Sequence, residues 1–574
     1  MKNHEIAALF ERIANVLELK GENAFRINSY RKAARILGDV TEDIEVLARE
    51  GKLKDIPGIG ESMAEKIMEY IHTGKMSKYD EVMKEISEET ITLMQIPGLG
   101  PKTVAMLNKK LGIVSLSDLE KALQEGKLKG LFGIGDKKIQ NIMRGIELFK
   151  TSQQRIPIGM AYPVVKGIIE VLKHHSQTKD IQSAGSLRRM KETVGDIDIL
   201  ATGTRGEDIV KSFVTMRGVT QILAAGDTKG SVRVEEGVQV DLRVVREDEF
   251  GSALQYFTGS KEHNVRLREI AKKKGYKINE YGIFKDNKRI GGSREEEIYK
   301  ALGMDWIPPE LRENKGEIEA AQEGKLPNLI KLSDIKGDLH NHSDWSDGNS
   351  TFEEMAKRAM DMGYKYLVVS DHSQSLHVAN GLKEEELLEE IEEIDNLNKK
   401  LKGFTLLKAT EVDIMADGSI DFPDKLLEKL DIVIASIHSG FKQEKKRITE
   451  RMIAAIRNPY VNIIAHPTGR LIGKREGYEV DLDKVMEACV ETGTALELNC
   501  YYDRLDLNDS NCRKAKEIGV MIAINTDAHH VDQMWMIELG VGIARRGWLE
   551  AKNVINTFLL HDLKAFCKKK RTAI

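Results

Sequence analysis

Residues 185–198 contain two short motifs, Gly185-Ser186-Leu187-Arg188-Arg189 and then Gly195-Asp196-Ile197-Asp198. The second motif is typical of a β-strand, in which side chains two positions apart point the same way, so its two aspartates lie side by side. Adjacent carboxylates repel unless a cation lies between them, and Mg²⁺ prefers oxygen ligands. The first motif offers backbone amides, a hydroxyl and guanidinium groups to a phosphate. Together the motifs predict a metal site beside an anion site.

A third carboxylate, Asp241, lies in the apolar run Val238-Gln239-Val240-Asp241-Leu242. Three carboxylates on neighbouring strands beside an anion site suit two-metal nucleotidyl transfer. The alternative is a strand with two solvated aspartates after a glycine turn. Further downstream come Tyr256-Phe257-Thr258-Gly259-Ser260, Asn264 and Arg268. With these residues, the set closely resembles the family X DNA polymerases, the group of DNA polymerase beta.

The resemblance implies roles for these residues. Asp196, Asp198 and Asp241 would bind Mg²⁺ or Mn²⁺, and Asp241 would help to deprotonate the primer 3′ hydroxyl. The incoming nucleotide would be held by Gly185, Ser186, Arg189, Gly195, Tyr256, Phe257, Gly259, Asn264 and Arg268. The sequence departs from DNA polymerase beta at Gln239, which replaces an arginine, at Lys261, which replaces an acidic residue, and at His263, which replaces an aromatic one.

Length and composition indicate a multidomain globular protein. The chain has 574 residues, of which 31% are charged and 41% hydrophobic, with a formal net charge of −4. Overall charge therefore does not point to nucleic acid, and any basic surface must be local. The four cysteines show no metal-binding spacing, and there is no apolar signal or membrane-spanning segment. We expect a cytoplasmic monomer that does not bind membranes.

The first 150 residues carry one pattern three times, at residues 53–60, 93–100 and 128–135. Each copy ends in Gly-x-Gly, preceded by Pro57, Pro97 or Phe132, and each is followed by a predicted helix. The pattern resembles helix-hairpin-helix motifs, in which glycines allow a tight turn and amides at the start of a helix meet a DNA phosphate. The predicted DNA-binding residues are Gly58, Gly60, Gly98, Gly100, Gly133 and Gly135.

Lys66 lies in the helix after the first copy, outside the apolar stripe formed by Met63, Ile67 and Ile71. By resemblance to the lyase domain of the DNA polymerase beta group, Lys66 is the lysine that forms a Schiff base with an abasic sugar. Phe25 stands where that domain usually has a histidine that contacts DNA. An ordinary surface lysine is the alternative interpretation.

From Gly337 onward, seven apolar runs each end in a polar residue able to bind metal or substrate. Helical stretches separate the runs, which predicts a parallel sheet closed as a barrel of seven units, with its chemistry at the C-terminal strand ends. Six of the 14 histidines fall at these ends. The pattern resembles the PHP family, the polymerase and histidinol phosphatase domain. Its metal motifs correspond here to His340, His342, Asp347, His372, Glu411, His438, His466, Asp527 and His529.

Mixed nitrogen and oxygen ligands suit a multinuclear Zn²⁺ or Mn²⁺ site that hydrolyses phosphoesters. The expected fold class is therefore multidomain: all-α helix-hairpin-helix domains, an α+β nucleotidyltransferase palm and thumb, and a C-terminal α/β (βα)7 PHP barrel. The expected domains are a lyase-like helical domain (1–80), a helix-hairpin-helix domain (81–150), the palm (151–245), a nucleotide-selecting subdomain (246–310), a linker (311–336) and the PHP metallophosphoesterase domain (337–574).

The expected function is a DNA-directed DNA polymerase that uses dNTPs to fill gaps in base-excision or break repair. Its PHP domain is expected to be a 3′-5′ exonuclease, with AP endonuclease activity as a further candidate. Two alternatives stay open: a polymerase whose PHP domain is structural or hydrolyses a small phosphoester, and a DNA-end binding scaffold without catalysis.

Overall fold

A computed structural model of the chain describes residues 2–39, 44–56, 58–84, 86–94, 96, 98–131, 133–153, 155–235 and 237–570. Pro57, Pro97 and Phe132 of the repeated pattern lie outside these residues. The chain separates into two compact units: residues 1–154 with 473–475, and residues 155–472 with 476–574.

The N-terminal unit is helical, and its apolar residues form two cores. One contains Phe10, Tyr30 and Ile67, and the other contains Val104 and Ile142. Its helices are α1 (Lys2–Leu19), α2 (Ala24–Asp39), α3 (Ile44–Arg49), α4 (Glu61–Thr73), α5 (Ser77–Met83), α6 (Glu88–Met94), α7 (Pro101–Leu111), α8 (Leu116–Gln124) and α9 (Asp136–Gln153).

The repeated glycines form the same turn in all three copies. The first glycine of each pair has a positive φ, 89° at Gly58, 87° at Gly98 and 79° at Gly133, which L side chains rarely adopt. The second glycine directly precedes α4, α7 or α9, and a Cβ added there would meet no atom within 4 Å. A partner can therefore approach the backbone closely where each of these three helices begins.

The palm begins the second unit and is built on a five-stranded sheet of order β2-β4-β7-β6-β5. Strands β4 and β7 run parallel, and the pairs β2–β4, β6–β7 and β5–β6 are antiparallel. Its elements are β1 (Ile156–Pro157), α10 (Ile158–Lys173), β2 (Thr178–Ser183), α11 (Gly185–Arg188), β3 (Thr193–Val194), β4 (Ile197–Gly203), α12 (Gly206–Val214), β5 (Val219–Ala225), β6 (Lys229–Val234) and β7 (Gln239–Val245).

A helical subdomain with a small antiparallel sheet, of order β10-β9-β8, follows the palm. The segment 311–336, expected as a linker, includes a helix and buries Leu311, Ile318 and Leu329 in the same apolar core as Tyr299. The elements are α13 (Phe250–Thr258), α14 (Lys261–Lys273), β8 (Tyr276–Asn279), β9 (Gly282–Lys285), β10 (Lys288–Gly291), α15 (Glu295–Ala301) and α16 (Glu317–Gln322).

The C-terminal region is a curled parallel sheet of order β11-β12-β13-β14-β15-β16 with helices between the strands, as predicted. The first predicted run, near Leu339, is extended but irregular. On one side, the Val368 amide of β11 donates a hydrogen bond to the Asp338 carbonyl. On the other side, the Asp527 amide, just after β16, donates a hydrogen bond to the His340 carbonyl. The two edges of the sheet are thereby joined.

The elements of this region are α17 (Phe352–Asp361), β11 (Tyr366–Val369), α18 (Glu384–Asn398), β12 (Thr405–Asp413), α19 (Asp424–Leu427), β13 (Ile432–Ser436), α20 (Lys445–Arg457), β14 (Ile463–Ile464), α21 (Leu482–Thr492), β15 (Ala495–Asn499), α22 (Asp509–Ile518), β16 (Ile522–Asn525), α23 (Ile537–Arg546) and α24 (Leu560–Lys569). Within the described residues, no helix is long and apolar enough to cross a membrane.

Palm helix α10 packs directly on the C-terminal barrel. The ring of Tyr162 stacks on Trp535, and its hydroxyl donates a hydrogen bond to Glu538 at 2.9 Å. Gly159 sits so close to Tyr502 that an added Cβ would lie 2.1 Å from the Tyr502 Cβ. The two domains therefore share a close-packed contact that tolerates no side chain at Gly159.

Two glycines of α10 provide a matched test of this contact. We expect Gly159→Ala to lower the free energy of unfolding by about 1–3 kcal/mol, because the methyl group overpacks the contact. Gly167→Ala, where an added Cβ meets nothing within 4 Å, should instead stabilise the helix by about 0.5–1 kcal/mol. Urea unfolding followed by tryptophan fluorescence measures both variants, since all four tryptophans lie in the second unit. Equal effects at the two positions would contradict the packing described.

Candidate active sites

The barrel rim brings all nine predicted metal ligands together. Ligand atoms lie within 4.8 Å of one another in three overlapping groups, which share His342 and His372. A ninth residue, His466, places Nε2 3.0 Å from Glu411 Oε1. The groups are His342, Asp347, His372 and His529; His340, His342 and Asp527; and His372, Glu411 and His438.

Glu411 lies at the centre of this cluster, near the end of β12, and is buried. Burial alone would raise its pKa, but the surrounding imidazoles hold the pKa well below its usual range. Its two oxygens lie between 2.9 and 3.6 Å from ring nitrogens of His340, His342, His372, His438 and His466. Such a carboxylate can bridge cations held by different histidines.

Three histidines are oriented by an acceptor on their Nδ1 atom. His340 Nδ1 lies 2.7 Å from Glu497, His438 Nδ1 lies 2.6 Å from Asp413, and His529 Nδ1 lies 2.9 Å from the backbone oxygen of Asp527. An Nδ1–H donated to oxygen leaves Nε2 with a lone pair, as metal-ligating histidines require. In each case Nε2 points into the cluster.

Sequence reasoning did not identify Glu497 and Asp413 as part of the site. Besides His340, Glu497 accepts hydrogen bonds from the His466 amide at 2.7 Å and from Asn525 at 2.9 Å. For Glu497, the signal in the sequence was a charged residue between Leu496 and Leu498 in strand β15. Asp413 lies two positions after Glu411 and hence on the same strand face.

The Arg504 guanidinium also lies at the rim, 3.6 Å from Asp527. Burial alone would lower its pKa, but Asp527 and Glu411 raise it, so it stays cationic. Sequence reasoning missed this residue as well. A guanidinium beside a metal ligand is suited to bind a phosphate oxygen.

The residues at the rim fit divalent cations. His340 Nε2 and His342 Nε2 lie 3.1 Å apart, close enough for both nitrogens to bind one cation. Burial and the neighbouring His372 and His529 lower the pKa of His342 to about 3, so it is neutral and able to bind metal. Nδ1 of His342 and of His466 is buried without a hydrogen-bond partner among the described residues.

In the palm, the structure places Asp198 on β4 directly opposite Asp241 on the parallel strand β7. Asp196 is exposed and lies with Gly195 in the turn between β3 and β4. Gly185 has φ 62°, and a Cβ added there would lie 3.0 Å from Asp198 Oδ2. The Gly185-Ser186 turn and the aspartates are thus neighbours, as expected.

The palm carboxylates repel one another. Burial, then Asp196 and Asp241, raise the pKa of Asp198 to about 6. The Gln239 amide, which stands where an arginine was expected, donates to both oxygens of Asp241 at 3.3 Å. Gln239 therefore orients Asp241 without adding a positive charge.

Arg189 lies beside the turn that ends α13. Its Nε donates to Glu313 at 3.0 Å and one terminal nitrogen donates to the Thr258 carbonyl at 2.5 Å. Arg188 donates to the Thr258 hydroxyl at 2.8 Å and binds Glu295 through both terminal nitrogens, at 2.7 and 2.9 Å. Both arginines of the motif therefore contact Thr258, and Arg189 is the one next to Gly259, where a terminal nitrogen would lie 3.0 Å from an added Cβ.

The remaining expected nucleotide-binding residues form one hydrogen-bonded group. Asn264 donates to the Tyr256 carbonyl at 2.8 Å, Arg268 Nε donates to the Asn264 carbonyl at 3.3 Å, and the rings of Tyr256 and Phe257 meet edge to face. His263, which replaces an aromatic residue, lies outside this group. It is wholly buried and its ring nitrogens hydrogen-bond to Glu317 and Tyr299.

In the N-terminal unit, Lys66 donates to the carbonyl and hydroxyl of Ser62, each at 2.8 Å. Partial burial lowers its pKa, which increases the fraction of neutral amine. Its lyase role stays a prediction.

Comparison with protein families matches four regions of the chain. A helix-hairpin-helix domain matches residues 1–76, a SAM-like helix-hairpin-helix tandem matches 90–147, a DNA polymerase beta thumb matches 253–313 and a PHP domain matches 338–500. These matches confirm the predicted multidomain architecture.

Among characterised proteins, the chain is 41% identical over 575 residues to the DNA polymerase/3′-5′ exonuclease PolX of Bacillus subtilis, covering 99% of this chain and 100% of the relative. The chain belongs to the family X DNA polymerases. DNA polymerase lambda of Arabidopsis thaliana is 27% identical over 54% of this chain and 62% of its own length. A "Probable phosphatase" of Thermoanaerobacter sp. is 32% identical over 41% of this chain and 96% of its own length.

The raised pKa of Asp198 has a consequence for this polymerase in the absence of metal. Because the folded pKa, about 6, exceeds the usual 3.8, folding loses stability as pH rises from about 4 to about 6. We therefore expect Asp198→Asn, with EDTA, to raise the free energy of unfolding at pH 7.5 by about 1–3 kcal/mol, since one pKa unit corresponds to about 1.4 kcal/mol.

Urea unfolding at a series of pH values measures this effect. The gain should shrink toward zero near pH 4, and the exposed Asp227→Asn variant should show no such pH dependence. A gain that is absent at pH 7.5, or equal at all pH values, would mean that folding does not raise the pKa of Asp198.

Proposed function

We propose that the chain is a template-directed DNA polymerase that fills short gaps during DNA repair and trims 3′ ends at a second active site in its PHP domain. The observation that carries the proposal is the presence of two distinct ligand sets in one chain, the paired palm aspartates and the nine-residue rim around Glu411. Full-length similarity to a polymerase and 3′-5′ exonuclease supports it.

In the palm, Asp196, Asp198 and Asp241 would hold Mg²⁺ or Mn²⁺. Such cations would stabilise the attacking and leaving oxygens of nucleotidyl transfer. Asp241 would accept the proton of the primer 3′ hydroxyl, and Gln239 keeps its carboxylate oriented. The Gly185-Ser186 turn supplies backbone amides and a hydroxyl to the triphosphate.

The residues around Thr258 would select the nucleotide. Arg189 would bind the triphosphate through charge-assisted hydrogen bonds. Tyr256, Phe257 and Gly259 would pack against the sugar, and Asn264 and Arg268 would reach the minor-groove edge of the new base pair, where all Watson–Crick pairs offer acceptors. Because these contacts do not read a particular base, the template would decide which nucleotide is added.

In the PHP domain, the nine rim ligands would hold Zn²⁺ or Mn²⁺. Such cations would lower the pKa of water and thereby supply the nucleophile for phosphodiester hydrolysis. Arg504 would bind a phosphate oxygen beside Asp527 and orient the scissile bond. Glu497 and Asp413 keep the histidine rings in the required orientation.

The three helix-hairpin-helix turns would hold the DNA backbone. Their second glycines leave open space next to the amides of a helix N-terminus, where a phosphate binds favourably. Contacts of this kind carry no sequence information. They suit a monomeric enzyme that acts on gaps in DNA of any sequence.

Hydrolysis of a small phosphoester is the second candidate function of the PHP domain. It is favoured by the similarity to a relative described as a probable phosphatase, of which this chain covers 96%. A DNA-end binding scaffold without catalysis is not favoured, since both ligand sets retain competent residue types.

Separate active sites should be separable by mutation. We expect replacement of both Asp196 and Asp198 by Ala to abolish nucleotide addition while 3′ trimming persists. His342→Ala or Asp527→Ala should reduce trimming at least about 100-fold while addition persists, because each change deletes a metal ligand. A 5′-labelled primer on a longer template, incubated with Mn²⁺ with and without dNTPs, reports extension and trimming separately.

His561→Ala is a matched control, because His561 is exposed on α24 and lies outside the rim groups. If trimming disappears with the palm aspartates and survives both rim changes, the nuclease belongs to the polymerase site. If neither set of changes affects trimming while both rim variants lose hydrolysis of p-nitrophenyl phosphate, the PHP domain is a small-molecule phosphoesterase.

A further inference from the structure

Arg546, the last residue of α23 in the PHP domain, reaches the polymerase active site. The residue is 7% exposed and its guanidinium makes four hydrogen bonds. Nε and one terminal nitrogen donate to Asp509 at 3.0 and 2.7 Å. The other terminal nitrogen donates to Glu313 at 2.9 Å and to the backbone carbonyl of Arg189 at 2.7 Å.

These contacts form a chain of alternating charges, Arg189–Glu313–Arg546–Asp509. One oxygen of Glu313 accepts from both Arg189 and Arg546. Burial alone would raise the pKa of Glu313, but the two arginines more than offset this and hold the pKa low. A partly buried charge of this kind is costly without its partners, so the position of each group depends on the next.

Arg189 is thereby fixed at two places by the same PHP residue. Arg546 binds its backbone carbonyl directly, and it also holds Glu313, which in turn binds the Arg189 side chain. The side chain is held further by the Thr258 carbonyl. Since the Arg189 guanidinium has to meet a triphosphate, its orientation affects nucleotide binding more than any later step.

We propose that Arg546 is a positioning residue for polymerisation, which sets the orientation of Arg189 from the PHP domain and thereby lowers the KM for the incoming dNTP. The role rests on the proposed function of Arg189 as a triphosphate-binding residue. It makes the PHP domain a structural part of the polymerase site, in addition to its own hydrolytic activity.

The neighbouring residue Arg545 makes a contact between the domains that does not include the charge chain. Arg545 also projects from the end of α23, where it binds Glu310 at 2.8 Å and the Ile330 carbonyl at 2.9 Å. Among the described residues, its hydrogen bonds reach Glu310 and Ile330 and neither Arg189 nor Glu313. Arg545→Ala therefore removes a comparable ion pair while leaving the charge chain intact.

Steady-state single-nucleotide addition by the full-length chain, with saturating primer–template and varied dNTP, tests the role. We expect Arg546→Ala and Glu313→Gln to raise the KM for dNTP about tenfold or more, as expected for loss of charge-assisted hydrogen bonds, with kcat changed less than about threefold. Arg545→Ala should stay near the parent KM. Trimming without dNTPs should be unaffected in all three variants.

Arg189→Ala is measured alone and combined with Arg546→Ala. If Arg546 acts through Arg189, the double variant should have nearly the KM of Arg189→Ala, because the second change has nothing left to position. Multiplicative effects in the double variant would overturn the proposal. Equal changes in KM for Arg546→Ala, Glu313→Gln and Arg545→Ala would also overturn it. So would a parallel fall of kcat for addition and for trimming, because both results indicate a general loss of folded protein.

If Arg546→Ala folds poorly, Glu313→Gln tests the same role, because it removes the charge and keeps the shape of the side chain. If Arg189→Ala itself leaves the KM unchanged, Arg189 does not bind the triphosphate, and the positioning role falls with that assignment. If Arg189→Ala raises the KM but neither Arg546→Ala nor Glu313→Gln does, only the positioning role is wrong.

Discussion

Glu411 is a buried carboxylate with ring nitrogens on several sides, and this arrangement constrains the whole C-terminal half of the protein. A charge in such a position is stable only beside opposite charges, either protonated histidines or bound cations. The parallel strands satisfy this requirement because their C-terminal ends converge at one rim, where every strand but β15 places a predicted ligand and β15 places the orienting Glu497. Two of the predicted ligands, His466 and Asp527, adopt positive φ values of 29° and 54°. Such backbone strain is typical of residues whose position is set by a functional site.

The palm meets a similar electrostatic problem in a more open setting. Its aspartates lie on and just before the adjacent parallel strands β4 and β7, and burial and the neighbouring carboxylates raise the pKa of Asp198 to about 6. Oxygen ligands alone suit Mg²⁺, whereas the imidazole-rich rim suits Zn²⁺ or Mn²⁺. The two sites can thus differ in metal preference within one chain. The contacts of α10 and Arg546 hold the palm and the PHP domain together, while each site keeps its own set of ligands.

The sequence was sufficient for the features that depend on local periodicity. Apolar runs predicted neighbouring strands for Asp198 and Asp241, which the structure pairs, and placed the histidines at strand ends. Strand alternation also predicted Asp196 on the same strand as Asp198, whereas Asp196 lies in the turn just before β4. Contacts between distant residues could not be read in this way: His340 and Glu497 are 157 positions apart, and Arg189 and Arg546 are 357 apart. His263 is held by a contact of the same kind, because Glu317, from the segment expected as a linker, binds its ring in the core.

Anomalous diffraction from crystals grown with Mn²⁺ tests most directly whether the chain holds two separate metal centres. We expect anomalous peaks in the PHP domain, within the three ligand groups around Glu411. We also expect density among Asp196, Asp198 and Asp241 when DNA and a nucleotide are bound. Absence of peaks at the rim, or peaks coordinated by residues other than the nine ligands, would contradict the central claim.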